Sequence, residues 1–102
     1  MALLLHFQNV LKMTTKIEWR IVYTRDGLKD KKRAFEAGYK EKILSLLRLI
    51  KIDPFAPYPP YEKLIGDLNG AYSRRINIQH RMVYRVEEEE RTIVILSLWT
   101  HY

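Results

Sequence analysis

The sequence predicts one α+β domain in which two helices cover one face of a sheet whose last three strands are antiparallel neighbours. Three observations predict this arrangement: a strand-like segment early in the chain, two helical segments after it, and three strand-like segments with short linkers at the end. The 102 residues are enough for a single domain, and 47% of them are hydrophobic, which is enough for a core.

The first strand and the first helix follow from periodicity and capping. In residues 16–24 one set of alternate positions is apolar throughout and the other is mostly polar, as in a half-buried strand. The first set is Ile17, Trp19, Ile21 and Tyr23, and the second is Glu18, Arg20 and Val22. Either Thr24 or Asp26 can cap a helix that runs to about Ala37. Gly38 then marks the end of this helix, because glycine adopts the left-handed backbone conformation found there.

The second helix is predicted over residues 39–51. Its apolar side chains recur at the spacing of one helical face, which should pack on the sheet: Ile43, Leu46, Leu47 and Ile50. Asp53 and Pro54 stop the helix. Residues 54–60 (PFAPYPP), here called the proline strap, are expected to be extended and stiff and to position the residues that follow.

Three strands are predicted to close the chain, over residues 72–78, 81–86 and 92–98. Their linkers are short, so neighbouring strands should be antiparallel. The last strand is apolar on both faces and is therefore expected at the centre of the sheet.

Residues 1–15 are interpreted as an N-terminal extension of unknown role, and residues 16–102 as the domain. Met13 is an alternative start. The early apolar segment lacks a preceding basic region and is too short for a signal peptide. No stretch approaches the roughly 20 apolar residues of a membrane helix. These features predict a cytoplasmic protein without a membrane partner.

The charge balance favours a polyanionic partner. Lysine and arginine total 18 against 12 acidic residues, a net charge of +6. Nucleic acid or an acidic protein would suit this balance, although a basic protein with neither partner is an alternative. The absence of cysteine excludes disulfides, thiolate zinc sites and cysteine nucleophiles. The three histidines are scattered without metal-ligand spacing, so neither a metal nor a cofactor is predicted.

Candidate residues exist for cleaving RNA at its own 2′-hydroxyl. The reaction needs a base, an acid and cations beside the phosphate. Glu62 follows the stiff strap and is a candidate base. Arg74 and Arg75 are adjacent on a strand and face opposite sides, so one can join a given site and the other is expected to be a surface charge. Arg81 begins the next strand, where it can converge with one of them. A pair of surface arginines is an equally good interpretation.

The C-terminus carries a candidate acid. Histidine is the natural general acid near neutral pH, which makes His101 the candidate, and Tyr102 follows it. The alternative is that the last residues are a frayed terminus. The large side chain of Trp99 argues against this, because it is expected to anchor the tail. His80 is expected to make a hydrogen bond within a turn.

Two stretches resemble the YoeB (Txe) branch of the RelE-like toxins: YSRRINIQHRMVY at residues 72–84 and WTHY at residues 99–102. In addition, PYEKL at residues 60–64 is similar to the loop that holds the family's catalytic glutamate. The resemblance covers about residues 16–102 and implies a RelE-like fold.

The resemblance also implies roles for individual residues. Glu62 would be the general base, His101 the general acid and Arg81 the cation that stabilises the phosphate. Arg75 would be a second active-site arginine, and Tyr102 would help to hold the nucleotide.

Two further residues are candidate substrate contacts. Some relatives have a lysine three residues after the glutamate, where this chain has Ile65. Lys63 is the candidate to supply that charge from another angle. Arg74 is the second candidate.

The function implied is that of a toxin in a type II toxin–antitoxin system. Such toxins cleave mRNA in the ribosomal A site, without a metal, and a YefM-like antitoxin neutralises them; a dimer is implied as well. A non-catalytic RNA- or ribosome-binding module is one alternative, but it leaves the joint presence of Glu62, Arg81 and His101 unexplained. A gyrase-directed relative is another, but such relatives generally lack the terminal histidine–tyrosine pair.

Overall fold

Five strands form one mixed sheet in a computed structural model that describes residues 18–68 and 70–101, with the backbone alone at Thr100 and His101. The strands are β1 (Arg20–Tyr23), β2 (Tyr61–Lys63), β3 (Ala71–Arg75), β4 (His80–Glu87) and β5 (Thr92–His101). Their order is β1-β5-β4-β3-β2. β1 runs parallel to β5, and the other neighbours are antiparallel, as predicted for the last three strands. The predicted extension and Tyr102 lie outside the described residues.

Two helices join β1 to β2. Helix α1 (Arg25–Ala34) begins at Thr24, whose hydroxyl accepts a hydrogen bond from the Gly27 amide at 3.0 Å, so Thr24 rather than Asp26 is the cap. A π-helical turn, Phe35–Tyr39, leads into α2 (Lys40–Ile52). Gly38 produces the kink between the helices with φ of 94°, a conformation that costs glycine little.

The predicted face of α2 lies in the core. Its four apolar side chains are at most 7% exposed: Ile43, Leu46, Leu47 and Ile50. They pack with buried side chains of β4 and β5, namely Met82, Tyr84, Ile93, Ile95 and Leu98. The helices therefore cover one face of the sheet, here called the helix side; the other is the open side. The predicted α+β arrangement is confirmed.

Three differences from the prediction bear on the residues of the candidate site. β2 was expected to be part of a loop, because its three residues are too few for a periodic pattern. β3 ends at Arg75 because the Asn77 side chain accepts hydrogen bonds from the amides of Gln79 (2.8 Å) and His80 (2.7 Å), which closes a turn. β5 continues past the predicted end, to His101.

Within residues 18–68 and 70–101, no helix is both long enough and apolar enough to cross a membrane.

Candidate functional site

A buried arginine fastens the proline strap to the sheet. Arg74 is 0% exposed, and its guanidinium donates to the carbonyl oxygens of Pro59 at 2.5 Å, Ala56 at 2.8 Å and Pro54 at 3.1 Å. Its Nε donates to the Tyr84 hydroxyl at 2.9 Å, and that hydroxyl donates to the Pro54 carbonyl at 2.7 Å. Within the described part of the chain, every buried side-chain polar atom has a partner.

This geometry corrects both expectations for Arg74. It is not a surface charge, and it is not in position to bind substrate, because its donors are directed at the strap and sealed from solvent. Its observed role is to hold the strap against the sheet. The alternation itself is as predicted, since the neighbouring Arg75 is exposed.

The strand register brings a carboxylate and an arginine together on the open side. Glu62 is the Cα partner of Ser73, so both side chains share one face. Arg81 joins them: its Nη2 lies 2.8 Å from Glu62 Oε1, and its Nη1 donates to Ser73 Oγ at 3.0 Å. The side chain of Glu62 is 63% exposed and that of Arg81 only 13%. A ligand can therefore reach the carboxylate, while Arg81 is fixed from two directions.

This cluster opens into a groove of about 620 Å³. The groove is lined by residues from the strap, the sheet, the β3–β4 turn and α2: Lys42, Pro59, Pro60, Glu62, Arg75, Ile76, Asn77, Ile78 and Arg81. Arg75 and Arg81 are direct cross-strand partners, so two guanidiniums share one face. Three cations and one carboxylate suit an anionic ligand.

Lys63 is not brought to this groove. It neighbours Glu62 on β2 and therefore faces the other side of the strand, and its Cα partner is Tyr72. The substrate contact expected of Lys63 has no support in the groove geometry.

Lys42 and Ser73 were missed by the sequence reasoning. Lys42 reaches the groove only because α2 packs beside the β3–β4 turn, and no local motif signals that. Ser73 could have been found once a strand was recognised at Glu62, because the register pairs the two residues.

The end of β5 lies beside the cluster. Thr100 is the Cα partner of Arg81, and His101 is the partner of His80. The backbone of His101 therefore lies one residue along β5 from the Cα partner of Arg81. The acid role of His101 and the nucleotide contact of Tyr102 stay predictions.

Trp99 is held by two rings, as expected of an anchor. It stacks on His80 with centroids 3.7 Å apart and planes 5° apart, and it packs against Tyr39 at 5.2 Å. The predicted turn hydrogen bond of His80 is confirmed, since its amide donates to Asn77 Oδ1. Its ring Nδ1 lies 3.1 Å from the same oxygen.

No group of three histidine, aspartate or glutamate side chains in the described ranges is placed to hold a metal ion.

Comparison with known families assigns the chain. The family model described as a YoeB-like toxin of bacterial type II toxin-antitoxin systems matches residues 23–102. The chain belongs to the YoeB-like toxin family. Toxin YoeB of Streptomyces coelicolor is 36% identical over 85 residues, covering 81% of this chain and 99% of that protein. Toxin YoeB of Mycobacterium bovis is 42% identical over 61 residues, covering 60% of this chain and 69% of the relative.

Solved structures show the same fold. The YoeB/ParE toxin from Agrobacterium tumefaciens superposes with a TM-score of 0.75 at 34% identity, covering 81% of this chain and 99% of that one. The YoeB dimer from Staphylococcus aureus gives a TM-score of 0.72 at 33% identity, covering 83% of this chain and 99% of that one. The matched chain of the heterotetrameric YoeB–YefM complex from the same organism gives a TM-score of 0.70 at 33% identity, covering 82% of this chain and 98% of that one. The predicted RelE-like fold is confirmed.

Proposed function

We propose that this YoeB-family toxin is an endoribonuclease that cleaves mRNA in the ribosomal A site and needs no metal for the chemical step. The observation that carries the proposal is the contact of Glu62 with Arg81 at 2.8 Å on the open side. An accessible carboxylate beside a fixed guanidinium offers a proton acceptor and a phosphate-binding cation in one place.

The proposed reaction begins at the RNA 2′-hydroxyl. Glu62 takes its proton, the 2′-oxygen bonds to the adjacent phosphorus, and the bond from phosphorus to the 5′-oxygen breaks. His101 donates a proton to that leaving oxygen. The products are a 2′,3′-cyclic phosphate and a 5′-hydroxyl, so no water is consumed in this step.

Cations stabilise the transition state in this mechanism. Arg81 already has Nη1 and Nη2 committed to Ser73 and Glu62, and a guanidinium has further N–H donors available for a phosphate. Arg75, its cross-strand partner, adds a second positive charge. Because developing charge on the phosphate is stabilised by donors already in place, this contribution is expected to be large. Tyr102 would hold the nucleotide.

The ribosome is the proposed source of substrate order. The open-side groove offers few contacts to a flexible RNA, whereas in-line attack demands a defined geometry. Positioning of reactants contributes up to roughly 7–11 kcal/mol in the best intramolecular cases. A codon held in the A site would arrive ordered. Because ribosomes are the proposed site of action, the cytoplasm is the proposed location.

A YefM-like antitoxin is the proposed inhibitor, and a homodimer is the proposed assembly. Relatives of this chain form a YoeB–YefM heterotetramer and a YoeB dimer in Staphylococcus aureus.

Purified protein incubated with ribosomes that carry a defined mRNA tests the proposal. Mapping both new RNA ends should locate one cut within the A-site codon, with a cyclic or 3′-phosphate on the upstream fragment. Single-turnover cleavage of the same mRNA without ribosomes should be much slower. Ribosome binding without any cut would favour a non-catalytic binding module, and equal rates with and without ribosomes would rule out ribosome dependence.

Metal independence needs a separate test, because ribosomes themselves require magnesium. Slow cleavage of a short free RNA should persist in EDTA. Activity that disappears in EDTA and returns with an added metal would contradict the proposed chemistry.

A further inference from the structure

The groove carries more positive charge than the cleavage chemistry uses. Of its three cations, Arg81 is paired with Glu62 at 2.8 Å. Lys42 and Arg75 make no side-chain hydrogen bond or ion pair with any residue in the described ranges. Two uncompensated positive charges therefore line one groove.

Keeping these charges together has a cost in the free protein. Like charges directly opposite each other on neighbouring strands destabilise a sheet, and Arg75 stands directly opposite Arg81. Lys42 adds a third positive charge to the same groove. Groups that destabilise the free protein are characteristic of binding sites, where the ligand compensates them.

Lys42 approaches the groove from a different layer than the cleavage residues. It belongs to α2, whose neighbouring residue Ile43 is buried in the helix-side core. Glu62 and Arg81 lie on the open side of the sheet. The groove thus brings together residues of different layers, with the lysine supplied by α2 and the paired carboxylate by β2.

We infer that Lys42 forms a second phosphate subsite, which binds an RNA phosphate next to the one that is cleaved. The same groove is also lined by the apolar side chains of Pro60 and Ile78, the latter 90% exposed, which offer an apolar surface to a nucleobase. The inference rests on the proposed function for the identity of the ligand. Its physical basis is the unpaired cation in the groove.

The test measures binding of a short oligoribonucleotide that carries a 2′-methoxy group at the cut site and so cannot be cleaved. Lys42→Met is compared with Lys51→Met, which removes the same charge from an exposed position on the same helix outside the groove. Lys42→Met should weaken binding roughly 5-fold, as for loss of one solvent-exposed charge pair. The slope of log affinity against log salt should fall by about 0.7, the value for one phosphate contact on a single strand. Lys51→Met should change neither.

A phosphate scan then locates the contact. Neutral methylphosphonate groups replace the RNA phosphates one at a time, and each RNA is tested with wild type, Lys42→Met and Arg81→Met. For one modified RNA, Lys42→Met should bind as tightly as wild type, because the phosphate that Lys42 contacts is already neutral. For the RNA modified at the neighbouring phosphate, Arg81→Met should bind as tightly as wild type. If both variants lose their effect at the same phosphate, or if Lys42→Met behaves like Lys51→Met, there is no second subsite.

Failure of this inference is separable from failure of the proposed function. If the wild-type protein binds the RNA but never cuts mRNA on ribosomes, the proposed function fails and the scan still decides on Lys42. If wild type cuts mRNA and Lys42→Met has no effect on binding, only the subsite fails. If wild type does not bind the RNA even at low salt, the subsite is overturned. Urea unfolding of Lys42→Met should match wild type, which shows that any effect comes from binding.

Discussion

Arg74 and Arg75 are chain neighbours on β3, yet the two sides of the sheet use them in opposite ways. On the helix side, Arg74 is 0% exposed and donates to three strap carbonyls and the Tyr84 hydroxyl. On the open side, Arg75 is exposed, lines the groove, and faces a second arginine across the hairpin. Satisfied donors hold a structure together, whereas accessible positive charge is available to a ligand. The difference therefore separates a side that maintains the fold from a side that leaves positive charge accessible to a ligand.

The largest expected effect is on activity, from the open side. Glu62→Gln should slow cleavage of ribosome-bound mRNA by roughly 10²–10⁴-fold, because the amide cannot accept the 2′-hydroxyl proton. Its free energy of unfolding should stay within about 0.5 kcal/mol of wild type, since the side chain is 63% exposed. Single-turnover kinetics and urea unfolding measure the two quantities. Glu88→Gln, in the exposed β4–β5 turn, is the matched control. A comparable loss of activity in the control would contradict a specific role for Glu62.

The next effect is on stability, from the helix side. Arg74→Met leaves the carbonyl oxygens of Ala56 and Pro59 without their donor, and each orphaned acceptor costs about 1–3 kcal/mol. It also removes the hydrogen bond to the Tyr84 hydroxyl, while the Pro54 carbonyl keeps that hydroxyl as a donor. We expect a loss of at least about 3 kcal/mol in the free energy of unfolding. Arg75→Met, the adjacent control, should change stability by no more than about 0.5 kcal/mol. Equal urea midpoints for the two variants would show that the contrast between the sides is wrong.

A smaller effect concerns alkaline pH. Burial raises the pKa of Tyr84, with the hydrogen bond from Arg74 acting in the opposite direction. In the unfolded chain this tyrosine ionises near a pKa of about 10, so above that pH the unfolded state loses a proton that the folded state keeps. The contribution of Tyr84 to stability is therefore complete below about pH 10 and declines as the pH rises further.

Tyr84→Phe removes both this titration and two hydrogen bonds. At pH 8 the variant should be less stable by about 2 kcal/mol. By pH 11 the difference in the free energy of unfolding should be smaller, because only the wild type loses stability through Tyr84. A difference that grows with pH, measured by urea unfolding, would contradict the assigned direction of the pKa.

The fold was largely predictable because its signals are local and periodic. The face of α2 and the strand alternation both depend on spacing along the chain, and the kink at Gly38 follows from one residue type. β2 was not predictable in this way, since its three residues become a strand only by pairing with β3. The roles of adjacent arginines also depend on tertiary structure: which of Arg74 and Arg75 is buried is decided by where the strap folds.

The residues of the candidate site also differ in whether local sequence or tertiary packing reveals them. Glu62, Arg75 and Arg81 could be named from residue type and resemblance, and the structure brings them to one groove. Lys42 could not, because its proximity results from packing between α2 and the hairpin. Lys63 was named as a substitute for the lysine that some relatives have three residues after the glutamate, although adjacent strand residues such as Glu62 and Lys63 face opposite sides.

The central claim is that the open side cleaves RNA by attack of the RNA's own 2′-hydroxyl. The most direct test places a single 2′-deoxy nucleotide at the mapped cut site of an mRNA held on the ribosome. The account predicts that this mRNA is bound as before and is not cut at that bond, while an otherwise identical all-ribose mRNA is cut normally. Cleavage of the 2′-deoxy mRNA at the same bond would identify water as the nucleophile and contradict the roles proposed for Glu62 and His101.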